Sequence, residues 1–66
     1  MLKNKIYEHR VLKKWSQQKL ATLCGVSRQT INALEKQKYS PSLELAFKLA
    51  NVFDTTVDSL FYQDQD

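Results

Sequence analysis

The sequence predicts an all-α fold, a compact array of five helices in a single domain over residues 1–66. The chain is long enough for only one hydrophobic core, and its 42% of hydrophobic residues is sufficient to form one. It contains a single Gly and a single Pro, which favours helices over linkers. In successive segments the apolar residues recur at three- and four-residue spacing, the period of a helix with one buried face.

The first two helices are delimited by residues that cap helices. The first helix is expected to begin near Asn4, which can cap it, and to end at about Lys14. The second is Gln17 to Cys24, and the hydroxyl of Ser16 can accept a hydrogen bond from an amide of its first turn. Gly25 ends this helix because glycine adopts the left-handed conformation of a helix end without a Cβ penalty.

The third and fourth helices are predicted from the same kinds of signal. Ser27 is a second N-cap, and the third helix runs from Arg28 to about Lys36, followed by a polar loop over residues 37–40. The start of the fourth helix, residues 43–53, has two alternatives: Pro41 lies in its first turn with Ser40 before it, or Ser42 is the cap. Its apolar residues cover more than the one stripe that a surface helix needs.

A short fifth helix ends the predicted array. It is capped by Thr55 or Thr56 and carries the apolar side chains of Val57, Leu60 and Phe61. The polar residues 62–66 are expected to fray, and no strand is predicted.

The net charge of +3 is distributed unevenly along the chain. Residues 1–38 contain nine of the ten Lys and Arg residues and only two acidic residues. Residues 39–66 contain one Lys and five acidic residues. The first part would attract a polyanion and the second would repel it, so the charge pattern favours a nucleic-acid partner, although only weakly by itself.

Several classes of function find no support in the sequence. Cys24 is the only cysteine, which excludes an internal disulfide and a cysteine zinc site, and it is interpreted as a small buried side chain. With one His and no Gly-rich phosphate loop, the chain does not resemble an enzyme, and we expect no metal, cofactor or small-molecule ligand. No apolar run approaches the ~20 residues of a membrane span, and no secretory signal follows Met1, so a cytoplasmic protein without membrane contact is expected.

Residues 17–36 have the features of a helix-turn-helix, in which two helices pack closely around a tight turn. Ala21 is small at the point where the second and third helices are expected to cross, and Gly25 supplies the turn conformation. In this motif the second helix of the pair lies in the major groove of DNA, with its first turn against the base edges.

Hydrogen-bonding residues without an apolar partner occupy the start of the third helix. Arg can bond guanine, Gln and Asn can bond adenine, and the Thr methyl group can contact thymine. The candidate base contacts are therefore Arg28, Gln29, Thr30 and Asn32. Free helix amides near Ser27 suit a phosphate. The same residues would also suit a solvated helix face, so alone they do not decide between the two interpretations.

Taken together, these residues resemble those of a known family. The residues that match are Ser16-Gln17, Leu20-Ala21, Gly25 through Ile31, Glu35 and Pro41-Ser42-Leu43. They are similar to those of the Cro/repressor-like (Xre-type) helix-turn-helix regulators, and in particular of minimal members that consist of the DNA-binding domain alone. The similarity spans about residues 4–61.

The resemblance implies roles for individual residues. Gln17 would contact a phosphate from the start of the second helix, while Arg28, Gln29 and Asn32 would face the bases. The loop from Lys36 to Tyr39 would lie along the DNA backbone. Because the identities at positions 28 and 32 vary across the family, the resemblance does not imply a particular operator sequence.

Further side chains complete the expected site. Lys36 and Lys38 flank the third helix and are candidate phosphate contacts, whereas Tyr39 could donate its hydroxyl to a phosphate or cover the core. Arg10 and Glu35 fall at the positions of a family ion pair that ties the first helix to the third.

Two aromatic residues depart from the family pattern. His9 replaces the usual Leu or Ile of the first helix, and we interpret it as a partly buried structural residue. Trp15 follows Lys14 where Gly-Leu is common, and it is expected to pack on the core.

The function implied is that of a sequence-specific regulator of transcription that binds double-stranded DNA. Small members of the family are usually homodimers and repressors, which implies a dimer on a palindromic operator. The broad apolar surface of the fourth helix and the residues behind it predict the dimer interface, at Phe53, Leu60, Phe61 and Tyr62. The alternative is an antitoxin or other protein-interaction module whose DNA binding is secondary.

Overall fold

A computed structural model describes residues 2–64 of the chain. The five predicted helices are present, and two short strands accompany them. In chain order the elements are β1 (Leu2–Asn4), α1 (Ile6–Leu12), α2 (Gln17–Cys24), α3 (Arg28–Glu35), α4 (Leu43–Val52), α5 (Val57–Leu60) and β2 (Phe61–Gln63). No helix in this part of the chain is long and apolar enough to span a membrane.

The N-cap of four of the five helices, α2 to α5, is a residue whose side-chain hydroxyl accepts an amide of the first turn. The Oγ atoms of Ser16 and Ser27 accept the amides of Lys19 and Thr30, as predicted. At α4 the cap is Ser42, so the alternative that placed Pro41 in the first turn after Ser40 is wrong, and at α5 the cap is Thr56 rather than Thr55. These bonds satisfy amides that would otherwise have no partner in the first turn.

A left-handed residue follows each of the first four helices. Gly25 (φ 71°) ends α2, as predicted, but Lys14 (φ 61°), Gln37 (φ 58°) and Asp54 (φ 56°) do the same for α1, α3 and α4. In each case the next amide bonds back to a carbonyl five residues earlier, as in the 3.0 Å bond from Val26 to Ala21. This Schellman arrangement stops α1 at Leu12, two residues before the predicted end.

The two strands correct the prediction that the chain has none and that residues 62–66 fray. β1 and β2 pair antiparallel, with Asn4 opposite Phe61 and Leu2 opposite Gln63. The amide of Lys5 also donates to the carbonyl of Leu60, at 2.9 Å. Residues 61–63 are therefore paired with the N-terminal segment. Residues 65–66 lie outside the described part.

Asn4 ties the start of the chain to two helices. Its Oδ1 accepts the amide of Ile6 at 3.1 Å, and its Nδ2 donates to the carbonyl of Leu34 at 2.9 Å. The residue assists the start of α1 from within β1, while the capping position itself is Lys5, which makes no side-chain cap bond.

A single hydrophobic cluster lies among the helices. Its fully buried large side chains are Ile6, Leu20, Ile31, Leu34, Leu49, Leu60 and Cys24. Trp15 packs against this cluster, as predicted, with its ring 5.7 Å from that of Phe53. His9 is half-buried, as predicted, and its ring lies 5.3 Å from that of Phe53.

The predicted dimer interface is wrong for three of its four residues. Phe53, Leu60 and Phe61 are 4%, 0% and 6% exposed within the single chain, so they are core side chains and offer no surface to a second copy. The breadth of apolar surface on α4 is used within the chain, because α4 packs on both α2 and α5. Tyr62 remains exposed.

Candidate nucleic-acid interface

The helix α3 divides cleanly into a buried and a solvent-facing side. Ile31 and Leu34 are fully buried, whereas Ser27, Arg28 and Gln29 at its N-terminal end are exposed. Because the apolar residues anchor one side, the polar first turn is held outward on a rigid element. An exposed, hydrogen-bonding first turn is what reading of base edges in a groove requires.

The turn before α3 fixes the position of its first residues. Ser27 Oγ accepts the amide of Thr30 at 3.1 Å and lies 3.0 Å from Thr30 Oγ1. The hydroxyl of Thr30 is therefore engaged in the cap, and its methyl group is the part available for a base. Ala21 is fully buried in the core cluster, consistent with a close approach of α2 and α3.

The ion pair of Arg10 and Glu35 joins α1 to the end of α3. Arg10 Nε and Nη2 lie 2.6 and 3.2 Å from the two carboxylate oxygens of Glu35, a bidentate arrangement. Arg10 Nη1 also donates to the carbonyl of Trp15 at 2.8 Å. The two side chains are only 13% and 7% exposed. The hydrogen bonds to Glu35 raise the pKa of Arg10 above its ordinary value, against the opposing effect of burial.

Gln17 and Asn32, assigned to phosphate and base, are both linked to this ion pair. Gln17 Nε2 donates to Glu35 Oε1 at 3.1 Å, and Asn32 Nδ2 lies 3.4 Å from Gln17 Oε1. The structure thus joins the predicted ion pair to two candidate DNA contacts that were predicted separately from it. The one signal of this contact in the sequence is that an arginine and a carboxylate carry more hydrogen-bond donors and acceptors than they need for each other.

The segment after α3 places the remaining candidates in solvent. Lys36 is the C-terminal cap of α3, and the amide of Lys38 bonds the carbonyl of Ala33 at 3.0 Å. Both lysines are exposed. Tyr39 is 45% exposed and is not among the described side chains that pack on the core, which favours the first of its two alternatives, a hydroxyl available to a phosphate. The side chains of these three residues form no described hydrogen bond with Gln17 or Asn32, and the contact of Lys36 with Asn32 is through its backbone amide, which donates to the Asn32 carbonyl at 3.1 Å.

The sequence of the chain matches a known protein family over most of its length. The helix-turn-helix family HTH_3 matches residues 6–60, which cover all five helices. The chain belongs to this family of Xre/Cro-type helix-turn-helix proteins. The resemblance drawn from the sequence is confirmed.

Two relatives of this helix-turn-helix protein are similar to it over nearly their full length. The uncharacterized HTH-type transcriptional regulator MJ0272 of Methanocaldococcus jannaschii is 48% identical over 65 residues, 98% of each chain. The uncharacterized HTH-type transcriptional regulator YgzD of Bacillus subtilis is 40% identical, also over 98% of each. The crystal structure of a candidate DNA-binding protein from Bacteroides fragilis superposes with a TM-score of 0.83 at 27% identity, covering 94% of this chain and all of that one.

These relationships establish the general function. The protein is a DNA-binding transcriptional regulator of the helix-turn-helix type, and its family is not a class of enzymes. The prediction of DNA as the partner is confirmed.

Proposed function

We propose that this regulator recognises a specific sequence of double-stranded DNA by inserting α3 into the major groove, and that it represses transcription as a homodimer on a palindromic operator. The observation that carries the proposal is the exposed first turn of α3, in which Arg28 and Gln29 point into solvent while Ile31 and Leu34 anchor the helix. Arg28 would bond guanine bidentately and Gln29 adenine, with the Thr30 methyl group against thymine.

The proposed phosphate contacts surround this turn. Ser27 caps the N-terminal end of α3, and Gln17, the first residue of α2, lies beside Asn32 of α3. The exposed Lys36 and Lys38, with Tyr39, follow the other end of α3. Contacts at both ends of the recognition helix would fix its register on the DNA without reading sequence.

The proposed dimer would use a surface other than the side chains now seen in the core. An apolar groove between α4 and α5 is lined by Phe47, Ala50 and Val57, and Phe47 is 53% exposed. A two-fold contact would place two recognition helices about 34 Å apart on one face of DNA. A mass equal to one chain by analytical ultracentrifugation, at tens of micromolar, would contradict the dimer.

The test of sequence recognition begins with selection of bound duplexes from random DNA. Binding of the selected duplex and of a random duplex is then measured by fluorescence anisotropy for Arg28→Ala and for Lys48→Ala, a control that removes the same charge from α4. Arg28→Ala should cost about 1–3 kcal/mol on the selected duplex and little on random DNA. The control should change both equally. An equal loss on both duplexes for Arg28→Ala would make this residue a phosphate contact instead.

Repression itself is tested in a reporter gene whose promoter overlaps the selected sequence. Occlusion predicts that expression falls when the wild-type protein is present and recovers with Arg28→Ala. Expression that rises with the wild-type protein would identify an activator.

A further inference from the structure

Hydrogen bonds run from Arg10 through Glu35 and Gln17 to Asn32, and their donors and acceptors can be assigned in only one way. Both oxygens of Glu35 accept hydrogen bonds from Arg10, at 2.6 and 3.2 Å, so a third group that bonds this carboxylate must be a donor. The atom of Gln17 that lies 3.1 Å from Glu35 must therefore be the donor, Nε2. An amide rotated by half a turn would place two oxygens against each other.

The same assignment of donors and acceptors fixes the orientation of Asn32 on α3. With its Nε2 held by Glu35, Gln17 directs its Oε1 toward Asn32, and Asn32 must offer a donor, Nδ2, at 3.4 Å. The side-chain amide of Asn32 is thereby held in one of its two orientations. Its Oδ1, which no described residue of the chain bonds, and its second Nδ2 hydrogen remain for an outside partner.

Adenine is the base that best matches these two available groups of Asn32. An Asn side chain reads adenine by accepting from N6 and donating to N7, which uses one oxygen and one amide hydrogen together. Asn32 can supply both while Gln17 holds its other hydrogen. Within residues 2–64 no side-chain hydrogen bond is described for Arg28 or Gln29, and Thr30 bonds only its own cap at Ser27, so among the candidate base contacts Asn32 is the one held by a side chain of α2.

We propose that Glu35, acting through Gln17, positions the amide of Asn32 and so sets a preference for adenine at the base pair that Asn32 faces. Gln17 and Glu35 are then positioning residues for base recognition, a role distinct from the phosphate contact expected of Gln17. This inference rests on the proposed function, since it requires that α3 reads bases.

The experiment uses Gln17→Met, which keeps the length of the side chain and removes its hydrogen bonds. The matched control is Gln18→Met, because Gln18 is the next residue of α2 and its amide donates only to the exposed Thr22 hydroxyl, at 3.3 Å. Circular dichroism first verifies that both variants fold. Sites are then selected from random duplex DNA for the wild type, both variants, Asn32→Ala and the double variant Gln17→Met/Asn32→Ala.

Gln17→Met and Asn32→Ala should both lose base preference, and they should lose it at the same base pair of the selected site. Discrimination for adenine there should fall at least about fivefold in each, and the double variant should lose no more than Asn32→Ala alone. Gln18→Met should keep the wild-type preference. If Gln17→Met instead weakens binding to all sequences by one common factor and retains the adenine preference, Gln17 contacts phosphate only and the inference is wrong.

A second measurement needs no DNA. The side-chain ¹H–¹⁵N signals of Asn32 should shift in Gln17→Met and remain in place in Gln18→Met, whereas unchanged signals in both would overturn the positioning contact. If the wild type selects no preferred sequence, the proposed function fails, and this inference fails with it. A wild-type preference that survives in Gln17→Met overturns the inference alone.

Discussion

Replacing Arg10 by Met should destabilise this protein far more than removing a surface charge. Arg10 supplies two hydrogen bonds to Glu35 and one to the carbonyl of Trp15. Methionine fills much of the same space without supplying any of them. Glu35, only 7% exposed, would keep a single donor, Gln17, for a carboxylate that is still charged.

The magnitude follows from this burial. Leaving one partner of a buried ion pair without the other costs about 3–5 kcal/mol. For a domain of this size each 1 kcal/mol lowers the midpoint of thermal unfolding by about 4–8 °C, so a loss of at least about 12 °C is expected. A chain of 66 residues has a total stability of only about 3–10 kcal/mol, so Arg10→Met removes a large part of it.

The assay is urea unfolding followed by the fluorescence of Trp15, the only tryptophan, whose ring stacks 5.7 Å from Phe53. The control is Lys3→Met, which removes the 3.5 Å ion pair with Asp64, whose side chains are 34% and 43% exposed. Solvent screens that pair, so the control should lose less than about 1 kcal/mol. Adding Glu35→Leu to Arg10→Met should recover part of the lost stability, because the unpaired buried charge is gone.

Equal losses in Arg10→Met and Lys3→Met, both below about 1 kcal/mol, would refute this reasoning. The ion pair between α1 and α3 would then be worth no more than a surface contact. A double variant less stable than Arg10→Met would show that the charge of Glu35 is satisfied by other groups.

Three further predictions concern the turn, the buried thiol and the DNA backbone. Gly25→Ala should lower the free energy of unfolding in urea by about 1–2 kcal/mol because of the left-handed backbone alone, since nothing lies within 4 Å of an added Cβ. Lys14→Gly should raise it, because Lys14 has a left-handed backbone that glycine adopts without strain. A Gly25→Ala variant as stable as the wild type would contradict this reasoning. Burial raises the pKa of Cys24, so the unfolded chain ionises first and stability falls as the pH rises above the ordinary thiol value of about 8.5. Cys24→Ala should flatten this alkaline loss in unfolding curves at pH 8–10, and an unchanged slope would count against it. Lys38→Met should weaken binding of every duplex alike and lower the slope of log affinity against log salt by about 1, and a slope equal to that of the wild type would remove Lys38 from the phosphate contacts.

Local chemistry explains why much of the fold was predictable. A serine hydroxyl at Ser16 or Ser27 and the backbone freedom of Gly25 act within a few residues, so the sequence pattern predicts α2, the turn and α3 correctly. The left-handed residues Lys14 and Gln37 were not predictable in the same way, because neither lysine nor glutamine favours that conformation. Their conformation follows from the Schellman hydrogen bonds that end α1 and α3.

Contacts between distant residues account for what the sequence missed. The strands β1 and β2 are three residues each, too short for an alternating pattern, and they pair the two ends of the chain. For Phe53 and Leu60 the hydrophobic pattern showed that these side chains avoid water. It did not show that the same chain, rather than a second copy, buries them.

The central claim is that the first turn of α3 contacts DNA bases, and titration of the ¹⁵N-labelled protein with its selected duplex tests it most directly. The backbone amides of Ser27 to Thr30, together with the side-chain amides of Gln29 and Asn32, should show the largest changes in chemical shift. These changes should be smaller with a random duplex of equal length, because base contacts are then lost while phosphate contacts remain. Largest changes on α1 or α4, with α3 unaffected, would contradict the account.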